Sequence, residues 1–126
     1  MDKQGKFSWK KRLESFKYAF CGLATLFKEE YNARIHLAFT VLAIILGFVF
    51  SISFYEWFAI LICIALVFSL ELVNSAIENL GDKITAEKDD FVRKAKDMAA
   101  AAVLIAAIIS LIIGIIIFFP KLPDIF

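Results

Sequence analysis

The chain has 126 residues, 61% of them hydrophobic and 21% charged, with a mean hydropathy of +0.78. Soluble domains carry about 45–50% apolar residues, and here the excess lies in long uncharged runs, which excludes an ordinary soluble monomer, a disordered chain and a collagen-like one. Lys plus Arg number 14 against 13 Asp plus Glu, so the balance gives no polyanion signal and no reason to expect nucleic acid as a partner.

The first predicted element is an amphipathic helix over about residues 7–29. Trp9, Leu13, Phe16, Phe20, Leu23 and Phe27 recur at steps of four and three, so they share one face, while Lys10, Lys11, Arg12 and Lys17 fall elsewhere. Such a helix lies on a membrane surface, either covering a site or serving as a plain anchor. Three membrane spans follow, at about residues 35–55, 57–80 and 97–119, the last closed by Pro120 and Pro123. Basic residues crowd the segment before the first span and the 81–97 loop, whereas residues 51–56 carry none. The positive-inside rule therefore predicts a cytoplasmic N-terminus and an external C-terminus, with no cleaved signal peptide. Cys21 and Cys63 read as small buried hydrophobes, and His36 reads as a packed or interfacial imidazole rather than a metal ligand.

The second span carries residues that hydrocarbon does not tolerate cheaply. Glu71, Asn74, Ser75, Glu78 and Asp82 fall within roughly 60° of one another around a helix and climb about 16 Å along it. Intramembrane carboxylates usually face a bundle interior and mark function, although an interhelical hydrogen-bond cluster would use the same pattern. Carboxylates near a cytoplasmic surface suit Mg²⁺, which takes one or two of them together with water and phosphate oxygens. Phosphoryl transfer is thus one candidate chemistry. Glu29 and Glu30 supply further carboxylates, with Arg34 placed for an i, i+4 pair with Glu30, and Lys96 and Asp97 open the third span. No glycine pattern forms a phosphate loop. Ala102, Ala106, Ser110 and Gly114 repeat every four residues as a close-packing stripe, and the exposed polar face makes an oligomer the expected state.

Two stretches, Glu71-Leu72-Val73-Asn74-Ser75-Ala76-Ile77-Glu78 with Asp82, and Ala95-Lys96-Asp97-Met98-Ala99-Ala100-Ala101-Ala102-Val103-Leu104, resemble the prokaryotic diacylglycerol kinase and undecaprenol kinase family. The resemblance extends over about residues 13–117, including Tyr18, Gly22-Leu23 and Glu30 through Leu37. It implies an all-α integral-membrane fold, a surface helix plus three transmembrane helices in a homotrimeric bundle, making one lipid kinase domain of residues 1–126 in the bacterial cytoplasmic membrane. It implies Mg²⁺ and ATP, with a lipid alcohol as acceptor. Carried across residue by residue, Glu71 resembles the general base, Glu30 and Glu78 the metal ligands, and Asn74 and Ala100 substrate contacts. Lys11, Tyr18, Glu30, Glu78, Asp82, Glu87, Lys88, Asp89, Lys96 and Asp97 resemble the nucleotide-binding set.

The chain departs from the family pattern at two places. Lys88 and Asp89 stand where an aromatic and a His are commoner, and Gly81 replaces an apolar residue, favouring an early end to the second helix. The 32–37 stretch looks more like the undecaprenol branch. A competing reading, a small oligomeric proton or cation conductor lined by Glu71 and Glu78, lacks basic partners on the second helix. A non-catalytic assembly protein is the third.

Overall fold

The computed structural model describes residues 7–85 and 88–124. The described residues are helical, with no strand: α1 (Trp9–Glu29), α2 (Tyr31–Val49), α3 (Phe54–Ile84) and α4 (Asp90–Phe118), then a 3₁₀ segment over Phe119–Asp124. Helices α2 and α3, and α4 together with its 3₁₀ tail, are long and apolar enough to cross a membrane. Their outer faces carry large apolar side chains, such as Phe48 at 73% exposure and Ile116 at 65%.

Each helix boundary has a local cause. Ser8 caps α1, its hydroxyl accepting from the Lys11 amide at 3.4 Å. At the other end Glu30 takes an extended conformation, φ −103° and ψ 114°, so a single non-helical residue divides α1 from α2. Of the apolar stripe on α1, only its C-terminal end is covered: Leu23 and Phe27 are half-buried, and Phe27 lies 5.6 Å from the Phe68 ring, while Trp9 through Phe20 face outward.

The uncharged run expected to span residues 35–55 as one helix is broken. After Val49 the chain turns at Ser51, whose φ of 50° is left-handed, and the Ile52 amide donates back to the Gly47 carbonyl at 3.1 Å. Ser53 then caps α3 in a reciprocal box. Its hydroxyl accepts from the Glu56 amide at 3.2 Å and its own amide donates to Glu56 Oε1 at 3.0 Å, which satisfies two donors that a helix start leaves open. Likewise the last helix starts at Asp90 rather than near residue 97, because the Asp89 carboxylate accepts from the Phe91 and Val92 amides at 2.9 and 3.0 Å.

Helices α3 and α4 form the most extensive pairing. They run antiparallel, since Ile60 packs with Ile117 at one end and Gly81 meets Val92 at the other. Near the α2–α3 turn, Ile52, Ile60 and Ile117 form a small core with Trp57 and Phe118 against it. Lys121 locks the 3₁₀ tail there by donating to Glu56 Oε2 at 2.6 Å and to the Ile117 carbonyl at 2.7 Å.

Gly47 is required where α2 meets Trp57: a Cβ at that position would lie 2.6 Å from the indole ring. Gly47→Ala is therefore expected to cost about 1–3 kcal/mol through overpacking, read as a lowered thermal midpoint in detergent. Adding Trp57→Leu should recover part of the loss. An unchanged midpoint for Gly47→Ala would show that the ring moves aside freely.

Candidate active site at the α1–α2 break

Glu71 is the one charged side chain that the described residues bury, at 4% exposure. It sits in the middle of α3, where one turn of helix separates it from Asn74 and Ser75. From α2, the Nδ1 of His36 contacts Glu71 Oε1. The other carboxylate oxygen, Oε2, is buried with no hydrogen-bond partner, as is Asn74 Oδ1. Both residues line a cavity of about 30 Å³ together with Glu30, Asn32, Ser75 and Val103. The extended conformation of Glu30 brings the α1–α2 break to this cavity, and Val103 closes it from α4.

The expected Glu30–Arg34 pair is replaced by a different use of the guanidinium. Arg34 Nε donates to the Phe27 carbonyl at 2.7 Å and Nη2 to the Lys28 carbonyl, so the last turn of α1 is capped by a side chain from α2. That leaves the half-buried Glu30 carboxylate to the cavity.

Further along the polar stripe the surroundings become wet. Glu78 is half-buried and does not line the cavity that holds Glu30 and Glu71. Asp82 pairs with Lys96 of α4, the two side chains being 69% and 33% exposed. Gly81 allows this pairing: a Cβ there would lie 3.0 Å from Lys96 Cε and 2.9 Å from Val92 Cγ1. The early helix end favoured by Gly81 does not occur, and α3 continues to Ile84 because the glycine is buried against α4 instead of open to water. Asp97 pairs with Arg93 at 3.2 Å, and Asp89 caps α4. Lys11, Tyr18, Lys88 and Ala100 are exposed, and Glu87 lies outside the described residues.

The structure thus joins Glu30, Glu71 and Asn74 in one cavity and Asp82 with Lys96 in a second cluster. His36, read from the sequence as a packed imidazole, is the residue that touches Glu71. Its single occurrence beside a span carried no periodic signal, because its partner lies 35 residues away.

Among the described residues no group of three His, Cys, Asp or Glu side chains stands ready to hold a metal. The residues that line the cavity nevertheless carry oxygen donors, the Glu30 carboxylate among them, while Glu71 Oε2 and Asn74 Oδ1 are buried without partners. That chemistry fits a hard cation such as Mg²⁺, which needs only one or two carboxylates when phosphate and water complete its shell. Beside the site, an apolar cleft of about 560 Å³ runs between α2, α3 and α4 from His36 towards Phe119. Ser110 and Gly114 of the small-residue stripe line this cleft, and only Ala106 of that stripe is buried.

Removing the Arg34 cap should loosen the site's entrance. Arg34→Ala is expected to cost about 1–2 kcal/mol, since charge-assisted hydrogen bonds are worth about 1.5–3 kcal/mol and this one is exposed. Faster amide exchange in the last turn of α1 would report it. Arg34→Lys should restore little, because one ammonium does not reproduce a fork held on two carbonyls.

A profile of the family described as prokaryotic diacylglycerol kinase matches residues 17–118. The chain is 42% identical over 109 residues to an undecaprenol kinase of Bacillus subtilis (strain 168), an alignment covering 86% of this chain and 89% of that protein. It is 34% identical over 108 residues to a diacylglycerol kinase of Haemophilus influenzae, covering 85% and 92%. A diacylglycerol kinase of Escherichia coli (strain K12) is 32% identical over 95 residues, covering 75% and 78%. With most of its length matched and three apolar helices in place, the chain belongs to the prokaryotic diacylglycerol kinase family of lipid kinases.

Proposed function

We propose that this protein is an ATP- and Mg²⁺-dependent homotrimeric kinase of the cytoplasmic membrane that phosphorylates the hydroxyl of a lipid alcohol. Undecaprenol is favoured over diacylglycerol by the Bacillus subtilis relative and by the 32–37 stretch. The product, a lipid phosphate, would serve envelope lipid recycling. The observation that carries the reading is the buried Glu71 with one carboxylate oxygen unpartnered beside Glu30 and Asn74.

In this reading Glu71 Oε2 accepts the proton of the acceptor hydroxyl while the hydroxyl oxygen bonds to the γ-phosphorus of ATP and the bond from that phosphorus to the β–γ bridging oxygen breaks, releasing ADP. Asn74 orients the hydroxyl, and the exposed Ala100 leaves room for the lipid. The apolar cleft that begins at His36 gives the lipid tail a place next to the base. Glu30 and Glu78 would hold Mg²⁺, which when bound neutralises charge on the transferring phosphates. Lys96 exchanges Asp82 for a phosphate oxygen, and Asp82, Asp97, Lys11, Tyr18, Glu87, Lys88 and Asp89 border the nucleotide. The N-terminus lies in the cytoplasm and the C-terminus outside. Helix α1 rests on the inner leaflet with Trp9, Leu13, Phe16 and Phe20, all outward-facing, dipped into it.

Transfer of labelled γ-phosphate to undecaprenol or diacylglycerol in mixed micelles tests the reading. Glu71→Gln keeps the shape and removes the base, which should cost about 10²- to 10⁴-fold in rate. Activity within threefold of wild type would remove Glu71 from that role. A wild-type protein that conducts ions and transfers no phosphate would favour the pore reading.

The family resemblance implies that the base Glu71 and the metal ligands Glu30 and Glu78 of one site come from different subunits. Inactive Glu71→Gln subunits mixed with inactive Glu78→Gln subunits should then regain part of the activity after exchange in detergent. Mixtures that stay inactive at every ratio, with exchange verified by cross-linking of tagged chains, would place the whole site in one chain.

A further inference from the structure

Glu71 presents a physical problem beyond its role as a base. A glutamate side chain turns about three torsions, and a buried carboxylate without partners would be free to swap its two oxygens or to swing away from an acceptor. The described contacts of its carboxylate comprise one group, His36 Nδ1 on Oε1, and nothing on Oε2. His36 itself is held at the first turns of α2, six residues past the extended Glu30. Its imidazole also lines the mouth of the apolar cleft.

We infer that His36 is a positioning residue for the phosphoryl transfer: its Nδ1–H fixes one oxygen of Glu71 so that the other is presented to the lipid hydroxyl. A carboxylate only accepts, so the hydrogen resides on Nδ1. The ring therefore joins two parts of the site. One edge orients the base, and the ring itself forms the end of the cleft from which a lipid tail reaches it. A misplacement of about 1 Å between reacting groups is enough to cost about 10²-fold in rate, so the effect should fall on turnover and not on nucleotide binding.

This inference rests on Glu71 being the base, and the test separates the two. His36→Ala, His36→Asn, His36→Gln and Glu71→Gln are assayed in mixed micelles for kcat and for KM of ATP. The amide nitrogen of Asn stands where Nδ1 stands in His, whereas that of Gln reaches the position of Nε2. His36→Ala is expected to lower kcat by about 10- to 100-fold with the KM of ATP within about twofold of wild type. His36→Asn should recover most of that loss, and His36→Gln less. Equal impairment by Ala and Asn would reduce His36 to packing and overturn the proposal, even where all variants melt at lower temperature. So would better rescue by Gln than by Asn, or an effect confined to the KM of ATP. An active His36→Ala beside an inactive Glu71→Gln would overturn the positioning role alone. An active Glu71→Gln would overturn the base assignment and this inference together.

Discussion

A carboxylate buried between apolar helices is the constraint on which the rest of the molecule depends. On insertion scales an acidic residue at the centre of a membrane helix costs about 2.5–3.5 kcal/mol, and an unpartnered one in a dry interior costs more. Glu71 is tolerated because polar neighbours surround it. The break at Glu30 opens a small polar cavity, Asn74 and Ser75 continue the same helix face, and His36 supplies a hydrogen-bond donor from α2. The break in turn depends on Arg34, which caps the carbonyls that α1 leaves open as it ends. A helix running unbroken from residue 9 to residue 49 would carry Glu30 away from the cavity.

Two glycines do the complementary work of bringing backbones close. Gly47 admits Trp57 against α2 near the α2–α3 turn, and Gly81 admits the stem of Lys96 against α3 near the opposite end. In both cases the gap left by the missing side chain is filled by a neighbour, which outweighs the roughly 1 kcal/mol that glycine costs in a helix. The α3–α4 pair is therefore fixed at both ends: by Ile60, Ile117 and the Glu56–Lys121 pair at one, and by Gly81, Val92 and Lys96 at the other.

The helix count was legible because charge-free runs and 3.6-residue periodicity are local properties, and the polar stripe from Glu71 to Asp82 was legible for the same reason. The Ser53–Glu56 box and the Asp89 cap were also written locally, as a Ser followed three residues later by Glu and an Asp before an apolar run. Hydrophobicity alone does not register these caps, so the uncharged residues 35–55 look like one span. His36 and Arg34 are different. Their partners, Glu71 and the carbonyls of Phe27 and Lys28, are set by how α2 lies against α3 and α1, and no pattern within α2 encodes that. Gly81 does not end α3, because the helix cost of glycine applies to a solvent-exposed backbone, whereas here a neighbouring helix covers it.

The polar stripe also grades from fixed to exchangeable along α3. At Glu71 the carboxylate is buried and held by a ring nitrogen, in surroundings where the dielectric is low and an electrostatic contact is strong. About three turns later, Asp82 and Lys96 form an ion pair with Asp82 largely exposed, of a kind worth about 0–1 kcal/mol. This gradient suits the proposed reaction, in which a phosphoryl group passes from a water-soluble nucleotide to a lipid. As the proposed base, Glu71 would stay aligned without solvent, and as the proposed phosphate contact, Lys96 would release Asp82 cheaply each time a nucleotide arrives and leaves. Exchanging the two environments would defeat both tasks: a solvated base would lose its alignment, and a buried Lys96–Asp82 pair would resist opening because separating it leaves an uncompensated charge.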